Sequence, residues 1–406
     1  MDKIQLLESR KAAIVAASKE LREQISVIVD ADSFVELSAF SFSKNSFAEA
    51  DVAGEGVVTG FATVDGYPFY VVAQNFKVLQ GGVSKANCDK IVKCLDSAEK
   101  VGAPVLYLLN TYGVQVGEGV GVLEGLGKLL LRASQLKGVI QQYVIVNGDV
   151  YGSAALLAAA ADAVFFIENK SVLAINSPFV LSAKQGKNLP KEAVGGVAAL
   201  NHAGLSSIAV ASLEEAKAKM LTHFDIMTAR MVDADLNGTL PALQDCATVE
   251  GLLAMFESTV EVGANYAPEV KTLLARVGGI SVASVLFDGG DDGVELNADN
   301  LAKIRSFTEY ASCYMLPIVF LCNVKGIEPT MSVNNSRVMK EAVEYLEALS
   351  SMENGVISVV YGKAIGVGYT LFASKAVGFD YTCAFANAKI ALFDSVQGAQ
   401  VELASE

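Results

Sequence analysis

The chain has 406 residues, 52% of them hydrophobic, and a formal net charge of −14 with a pI near 4.8. That length and apolar content suffice for two or three domains with large cores. The acidic balance argues against a general nucleic-acid or anionic-membrane surface and leaves room only for local basic patches.

Met1-Asp2-Lys3-Ile4 opens on mixed charges and lacks the apolar core of a signal peptide, so a cytoplasmic protein is expected. From Lys3 to Val29, apolar residues at Ile4, Leu7, Ile14, Val15, Leu21, Ile25 and Ile28 recur at helical spacing. That helix either packs on its own fold or faces a partner. Ser33 to Leu37 alternates as a short strand, and two strands flanking Asp65-Gly66 read as a hairpin over 54–74. A helix over 85–100, a strand over 105–109, a glycine-containing loop over 111–119 and a helix over 122–134 follow. Alternating strands and helices joined by short glycine turns define an α/β fold.

The stretch from Val144 to Asp162 organises the rest. Tyr143 to Val146 reads as a buried strand, Gly148 and Gly152 as turn residues, and the Ala/Leu run after them as a tightly packed helix. Its first amides, near Gly152 and Ser153, lack intrahelical partners and suit an oxyanion. The longest apolar stretch, Val144 to Ile167, is interrupted by Asn147, Asp149 and Asp162, which predicts a core helix rather than a membrane span. Two short strands are expected over 164–176, a Lys-rich surface loop over 182–193, a helix over 213–231 and a linker over 233–245.

The second half retraces the first. Gly152 and Gly366 lie 214 residues apart (366 − 152), and Lys90 with Lys303, Pro104 with Pro317, and Gly113 with Gly326 each lie 213 apart. Val64-Asp65-Gly66 is answered by Val277-Gly278-Gly279. The strand over 356–360, the glycine turn over 362–368 and a helix from Tyr369 repeat the organising stretch, and 389–393 is the last clear strand. These correspondences indicate an internal duplication.

Six cysteines without a CxxC pair read as reduced core residues, and three Asn-x-Ser/Thr sequons have no meaning without secretion. With only His202 and His223, a His-rich metal site is excluded and no metal is expected. A Ser-His-Asp triad would have to use one of these two, and both are read as structural. Chemistry is left to backbone amides or carboxylates.

Arg22-Glu23-Gln24-Ile25, Asp32 to Leu37, Gly54 to Gly60, Lys90-Ile91, Gly102-Ala103-Pro104, Glu118-Gly119, Gly195-Gly196, Lys363-Ala364 and Gly398-Ala399 occur in a telling order. In that order the chain resembles the biotin-dependent acyl-CoA carboxyltransferases over nearly its whole length. These include β subunits of propionyl- and acetyl-CoA carboxylases and α subunits of glutaconyl- and methylmalonyl-CoA decarboxylases. The resemblance implies two tandem crotonase-like domains of the ClpP/crotonase superfamily. Residues 1–232 would bind acyl-CoA and residues 246–406 biotin, carried on a separate carrier protein because the chain has no Met-Lys-Met motif. It further implies backbone oxyanion holes at Gly152/Ser153 and Val367/Gly368, and Thr370 in the acyl pocket. Substrate contacts would come from Tyr112, Gly113, Val114, Gln115 and Lys363. The site would lie between subunits of a homo-oligomer, a dimer or a trimer of dimers.

The chain departs from this pattern in places. The family's glycine-pair-Ala-Arg loop is Tyr112-Gly113-Val114-Gln115, so an arginine is lost. The turn glycine pairs are Gly152-Ser153 and Gly366-Val367, and the Asp-x-Pro-Gly-Phe loop is Asn323 to Ile327. Backbone donors tolerate such side-chain changes. Two further readings therefore stand beside carboxyl transfer. One is a non-catalytic paralogue that scaffolds an active subunit; the other is a biotin-independent crotonase-type enzyme using Glu118 or Asp149. Glu118 is either catalytic or a helix-leading charge. Lys363 either meets a CoA phosphate or solvates its turn. Tyr112 either stacks on a ligand or packs its loop.

Overall fold

Hydrophobic periodicity resolves into two sheets with helices packed on them. The computed structural model describes residues 2–43, 52–199, 204–205, 207–228 and 248–405. The chain divides into two compact units, Met1–Leu221 and Thr222–Glu406. The linker expected at 233–245, His202 and Cys246 lie outside the described residues.

The first unit begins with α1 (Lys3–Ala17) and α2 (Lys19–Ile28). The single helix expected here breaks at Ser18, whose hydroxyl turns back to donate to the carbonyl of Ile14 at 2.7 Å. The second segment packs through Leu21, Ile25 and Ile28, whereas α1 buries only Ile14. β1 (Val35–Leu37), β2 (Phe42–Ser43) and β3 (Val52–Ala53) precede the hairpin of β4 (Val57–Val64) and β5 (Tyr67–Gln74). Asp65 and Gly66 both take positive φ, as a two-residue hairpin turn requires, and their amides donate to the Asp30 carboxylate at 2.9 Å. Then come α3 (Lys85–Val101), β6 (Val105–Thr111), α4 (Gly121–Gln135), β7 (Gln142–Tyr151), α5 (Ser153–Ala159), β8 (Ala163–Ile167) and β9 (Val172–Ala174). The unit closes with α6 (Pro178–Gln185), α7 (Lys191–Gly195), β10 (Ser207–Val210) and the start of α8 (Leu213–Thr228). The sheet order is β1-β4-β5-β6-β7-β8-β10, with β9 beside β7. It is antiparallel through β1, β4 and β5 and parallel from β5 onward. The parallel strands are covered and read as unbroken apolar runs. Tyr107, Leu109, Val144 and Val146 share one core with Ile91, Leu95 and Leu126.

The second unit contains α9 (Val249–Leu253), β11 (Ser258–Val262), β12 (Val270–Val277), β13 (Ile280–Phe287) and β14 (Val294–Leu296). They are followed by α10 (Ala298–Cys313), β15 (Ile318–Ile327), α11 (Met331–Asn334), α12 (Val338–Ser350), β16 (Val356–Ile365) and α13 (Val367–Phe372). β17 (Tyr381–Ala384), β18 (Lys389–Ala391) and α14 (Ser395–Ser405) end the chain. The order is β11-β12-β13-β15-β16-β17, with β14 on β15 and β18 on β16. The antiparallel-then-parallel plan of the first sheet is thus repeated.

The duplication extends to atoms. Cβ atoms placed on Gly148 and Gly362 would collide with the side chains of Asn110 and Asn323, at 2.6 and 2.3 Å. Lys90 and Lys303 each reach from a helix to turn carbonyls, as described below. Four sequence expectations need correction. Gly148 is not a turn residue: β7 runs through it, because the strand must pass close to Asn110 where no side chain fits. The segment 144–167 is not one helix but the end of β7, the seven-residue α5 and β8. The expected loop over 182–193 contains the second half of α6 and the start of α7. Ser177 caps α6 with Pro178 at its first position, and Gly186 ends it in a left-handed conformation. The second-half helix starts at Val367 rather than Tyr369.

Candidate active site

In the first unit the carboxyl ends of β6 and β7 meet beside the loop 112–115. Gly113, at φ +112°, crosses the carbonyl of Tyr151, to which an added Cβ would lie at 3.7 Å. The loop is clamped by backbone bonds: Val83 N–H donates to Gly113 O and Gln115 N–H to Val83 O, both at 2.9 Å. The amide of Val114, between them, has no hydrogen-bond partner among the described residues. On the other side Gly152, at φ +70°, directs its amide to the carbonyls of Ala174 and Ile175, at 3.2 and 3.1 Å. Its donor is therefore taken. The open amides at the start of α5 are those of Ser153 and Ala154. A seven-residue helix contributes little macrodipole, so the donors themselves are what this end offers.

Side chains around these amides form a connected group. Gly195 packs α7 against β9 so closely that a Cβ would meet the Leu173 carbonyl oxygen at 2.3 Å. From that helix Lys191 Nζ reaches Asp149 Oδ1 at 3.1 Å. Burial first, then the nearby Asp149 carboxylate, push the Tyr112 phenol above its ordinary pKa. The ring of Tyr112 lies edge-on to Phe76 at 5.0 Å and tilted against Tyr151 at 5.7 Å. Tyr151 is pushed up by burial and by Asp149.

Two residues expected to touch substrate serve the framework. Gln115 is buried, and its Nε2 donates to the carbonyl of Gly82 at 3.0 Å, so it stiffens the loop where the family pattern has an arginine. Glu118 accepts from the Lys85 amide at 2.6 Å and so caps the start of α3. Sequence reading placed its charge on a helix start but missed which helix.

The second unit has the matching arrangement. Gly326, at φ +128°, crosses the Ile365 carbonyl with the same 3.7 Å Cβ clearance. Gly366 donates its amide to Ala391 O at 3.0 Å. The amides of Val367 and Gly368 begin α13 without intrahelical partners. Gly368 is pressed on Val324, whose Cγ1 would be 2.5 Å from an added Cβ. Val367 itself is half exposed. Thr370 is exposed on the same short helix, with its hydroxyl 3.4 Å from Gly366 O. The Lys363 ammonium is held by the Asp292 carbonyl at 3.0 Å and carboxylate at 3.4 Å.

Away from these sites, His223 is fully buried with Nε2 at 3.3 Å from the Tyr310 hydroxyl. Burial pushes its pKa down to about 3, so it is a neutral core residue. Among the described residues no three His, Cys, Asp or Glu side chains gather as a metal site, and no helix is long and apolar enough to cross a membrane.

The two α/β units thus share the same glycine crossing, each with open amides at a strand end. The carboxyl transferase domain model matches residues 16–404, and the chain belongs to that family. It is 27% identical to the methylmalonyl-CoA decarboxylase subunit alpha of Veillonella parvula, over 98% of this chain and 86% of that one. It is 26% identical to the propionyl-CoA carboxylase beta chain of Roseobacter denitrificans, over 91% of this chain and 77% of that one. Among solved structures, transcarboxylase 12S superposes with a TM-score of 0.89 at 25% identity, covering 99% of this chain and 84% of that chain. That structure is described as a hexamer assembly with methylmalonyl-coenzyme A and methylmalonic acid bound. The fold is thus the two-domain, crotonase-like carboxyltransferase fold expected from the sequence.

Proposed function

We propose that the chain is the carboxyltransferase subunit of a biotin-dependent acyl-CoA carboxylase or decarboxylase, acting on a short acyl-CoA. The observation that carries this reading is the open amides at matching places in both units: Ser153 at the start of α5, with Val114 in the facing loop, and Val367 and Gly368 at the start of α13. Donors fixed by backbone geometry need no reorganisation when charge develops, and each is typically worth about 3–4 kcal/mol in the transition state.

The first unit, on this reading, takes the acyl-CoA. Ser153 and Val114 hold the thioester oxygen while the α-carbon loses its proton and the electron pair passes to that oxygen as an enolate. The enolate carbon then bonds to the incoming carboxyl carbon. Carboxybiotin on a separate carrier protein would supply that carboxyl group, its ureido N–C bond breaking as the new C–C bond forms, and the freed ureido nitrogen would take up the proton lost from the α-carbon. The second unit offers the Val367 and Gly368 amides to the ureido oxygen, and the half-exposed Val367 side chain leaves room for a flat ring. Thr370 lies on the acyl-pocket side. The domain roles of residues 1–232 and 246–406, and a homo-oligomer in which different subunits complete each site, belong to the same proposal. The hexamer described for transcarboxylase 12S supports the oligomer.

A biotin-independent enzyme needs a free carboxylate at the first site. Glu118 is used on the Lys85 amide and Asp149 on Lys191, which removes both candidates.

The first test is calorimetric titration with acetyl-CoA, propionyl-CoA and free CoA, followed by carboxyl transfer from a carboxylated biotin carrier. Binding in the micromolar range with biotin-dependent transfer is expected. A folded, oligomeric sample that binds no CoA overturns the reading in favour of an assembly subunit.

A further inference from the structure

The loop 112–115 spends its amides on the framework. Tyr112 N–H donates to Gln80 O at 3.1 Å, Gly113 N–H to the Thr111 hydroxyl at 3.0 Å and Gln115 N–H to Val83 O at 2.9 Å. Of these four amides only that of Val114 has no partner among the described residues. The Gln115 side chain then adds a lock. It is buried, and its Nε2 donates to Gly82 O at 3.0 Å. Gly82 is bare where this side chain lies on it, since an added Cβ would meet Gln115 Cγ at 2.9 Å.

The second unit keeps the backbone clamp and lacks the lock. Glu328 and Leu296 stand at the duplicated positions of Gln115 and Val83 (328 − 115 = 296 − 83 = 213), and Glu328 N–H likewise donates to Leu296 O at 2.9 Å. The Glu328 side chain, however, has no hydrogen-bond or ion-pair partner among the described residues. Glu295 occupies the place of Gly82 and pairs with Lys325 at 3.0 Å. The duplicated fold therefore holds this loop without any side-chain lock, and what the lock adds belongs to the first site alone.

Resting on the first unit as the acyl-CoA site, we propose that Gln115 is a positioning residue for carboxyl transfer: by gripping Gly82 it holds the Val114 amide on the thioester oxygen while the enolate forms. Gln115 touches no reacting atom in this account and acts only through its neighbour's N–H. Backbone bonds suffice to keep the loop folded, but a donor displaced by about 1 Å can cost about 10²-fold in rate.

The test is kcat and KM for carboxyl transfer from a carboxylated biotin carrier to propionyl-CoA, with calorimetric affinity and melting curves, in wild type, Gln115→Leu and Gln115→Glu. Gln115→Leu keeps the bulk and donates nothing; it should lower kcat about 10- to 100-fold, with KM and affinity within about twofold of wild type. Gln115→Glu carries its own control, because a protonated carboxyl can donate to Gly82 O and a carboxylate cannot. Its kcat relative to wild type at the same pH should be highest in acid and fall as the carboxyl ionises. A residue that only stabilised the fold would shift the melting curve and leave both results unmoved. A raised KM with wild-type kcat in Gln115→Leu, which would make Gln115 a substrate contact, overturns the proposal. So does a Gln115→Glu enzyme whose relative kcat is flat with pH. In either case a wild type that transfers carboxyl leaves the acyl-CoA reading standing, whereas folded wild type that binds no CoA overturns both.

Discussion

Lys90 and Lys303 are one residue used twice. Each sits at the sixth position of its helix, α3 or α10, and turns its ammonium onto backbone carbonyls of the turn before a long strand. Lys90 donates to Gly54 O at 3.1 Å and Val57 O at 2.6 Å; Lys303 donates to Tyr266 O at 2.7 Å and Ala267 O at 3.4 Å. Gly54 and Ala267, themselves equivalent, both take positive φ. A buried ammonium tying a strained turn to a helix is a costly device, and its repetition shows that both units descend from one design.

Burial lowers both ammonium pKa values from the ordinary 10.5 to about 8. Between those values the unfolded chain carries a proton the native chain has lost, so stability rises with pH, by up to about 1.4 kcal/mol per pH unit for each lysine. Burial raises Cys88, Cys94 and Cys322 from 9.0 to about 12, and there the native chain keeps a proton the unfolded chain loses, so stability falls. Denaturant midpoints followed from pH 7 to 11 should therefore rise to a maximum near about pH 9 and then decline. In Lys90→Met the rise should be roughly halved, and the variant should lose about 1–3 kcal/mol at pH 7 from two carbonyls left unpaired.

His223 governs the acid side. Its pKa moves from the ordinary 6.5 to about 3, with burial as the cause. In that window the unfolded chain binds a proton the native chain refuses, so stability falls as pH drops, at about 1.4 kcal/mol per pH unit. A carbon-13 or proton titration should show no His223 transition between pH 4 and 8, and His223→Phe should flatten the stability profile over the same range. A signal that titrates near 6.5 in the native protein and is lost in His223→Phe would contradict this.

The open amides can be removed one at a time. Proline is tolerated at the first helical position, where its missing N–H has no intrahelical use. Ser153→Pro should keep the fold and lower kcat for carboxyl transfer by about 10²–10³, the usual cost of one oxyanion donor. Ser153→Ala, which keeps the amide, should stay near wild type. Val367→Pro should do the same to the biotin-dependent half-reaction alone. A full-rate Ser153→Pro enzyme would show that the donors lie elsewhere.

The fold was legible because the duplication is written in glycines, prolines and lysines at a nearly constant offset, and because hairpin and cap residues mark the element ends. The site was legible as two backbone turns but not in detail. Gly152 carries the positive φ of the turn, yet its amide is spent on Ala174 and Ile175. That bond depends on where β9 lies, and nothing near residue 152 in the chain announces it. Gln115 and Lys363 were read as substrate contacts because they stand in motif positions; their partners, Gly82 and Asp292, lie 33 and 71 residues away. Lys191 was invisible for the same reason. Along the chain it is one more charge in a polar stretch, and only the packing of α7 on β9 brings it to Asp149.

That docking rests on Gly195, which supplies the last prediction. An added Cβ would lie 2.3 Å from the Leu173 carbonyl oxygen and 2.8 Å from its carbon, both backbone atoms that cannot turn away. The φ of Gly195 is not among the positive ones, so the constraint is space rather than conformation. In Gly195→Ala, α7 must lift from β9, carrying Lys191 off Asp149. Overpacking of this kind costs about 1–3 kcal/mol, which a melting curve will read. Lys191→Met removes the ion pair but leaves the packing at Gly195 intact, and a partly exposed pair is worth only about 0–1 kcal/mol, so it should cost less. A Gly195→Ala variant as stable as wild type, or no more affected than Lys191→Met, would show that α7 is not pressed on β9 at this point.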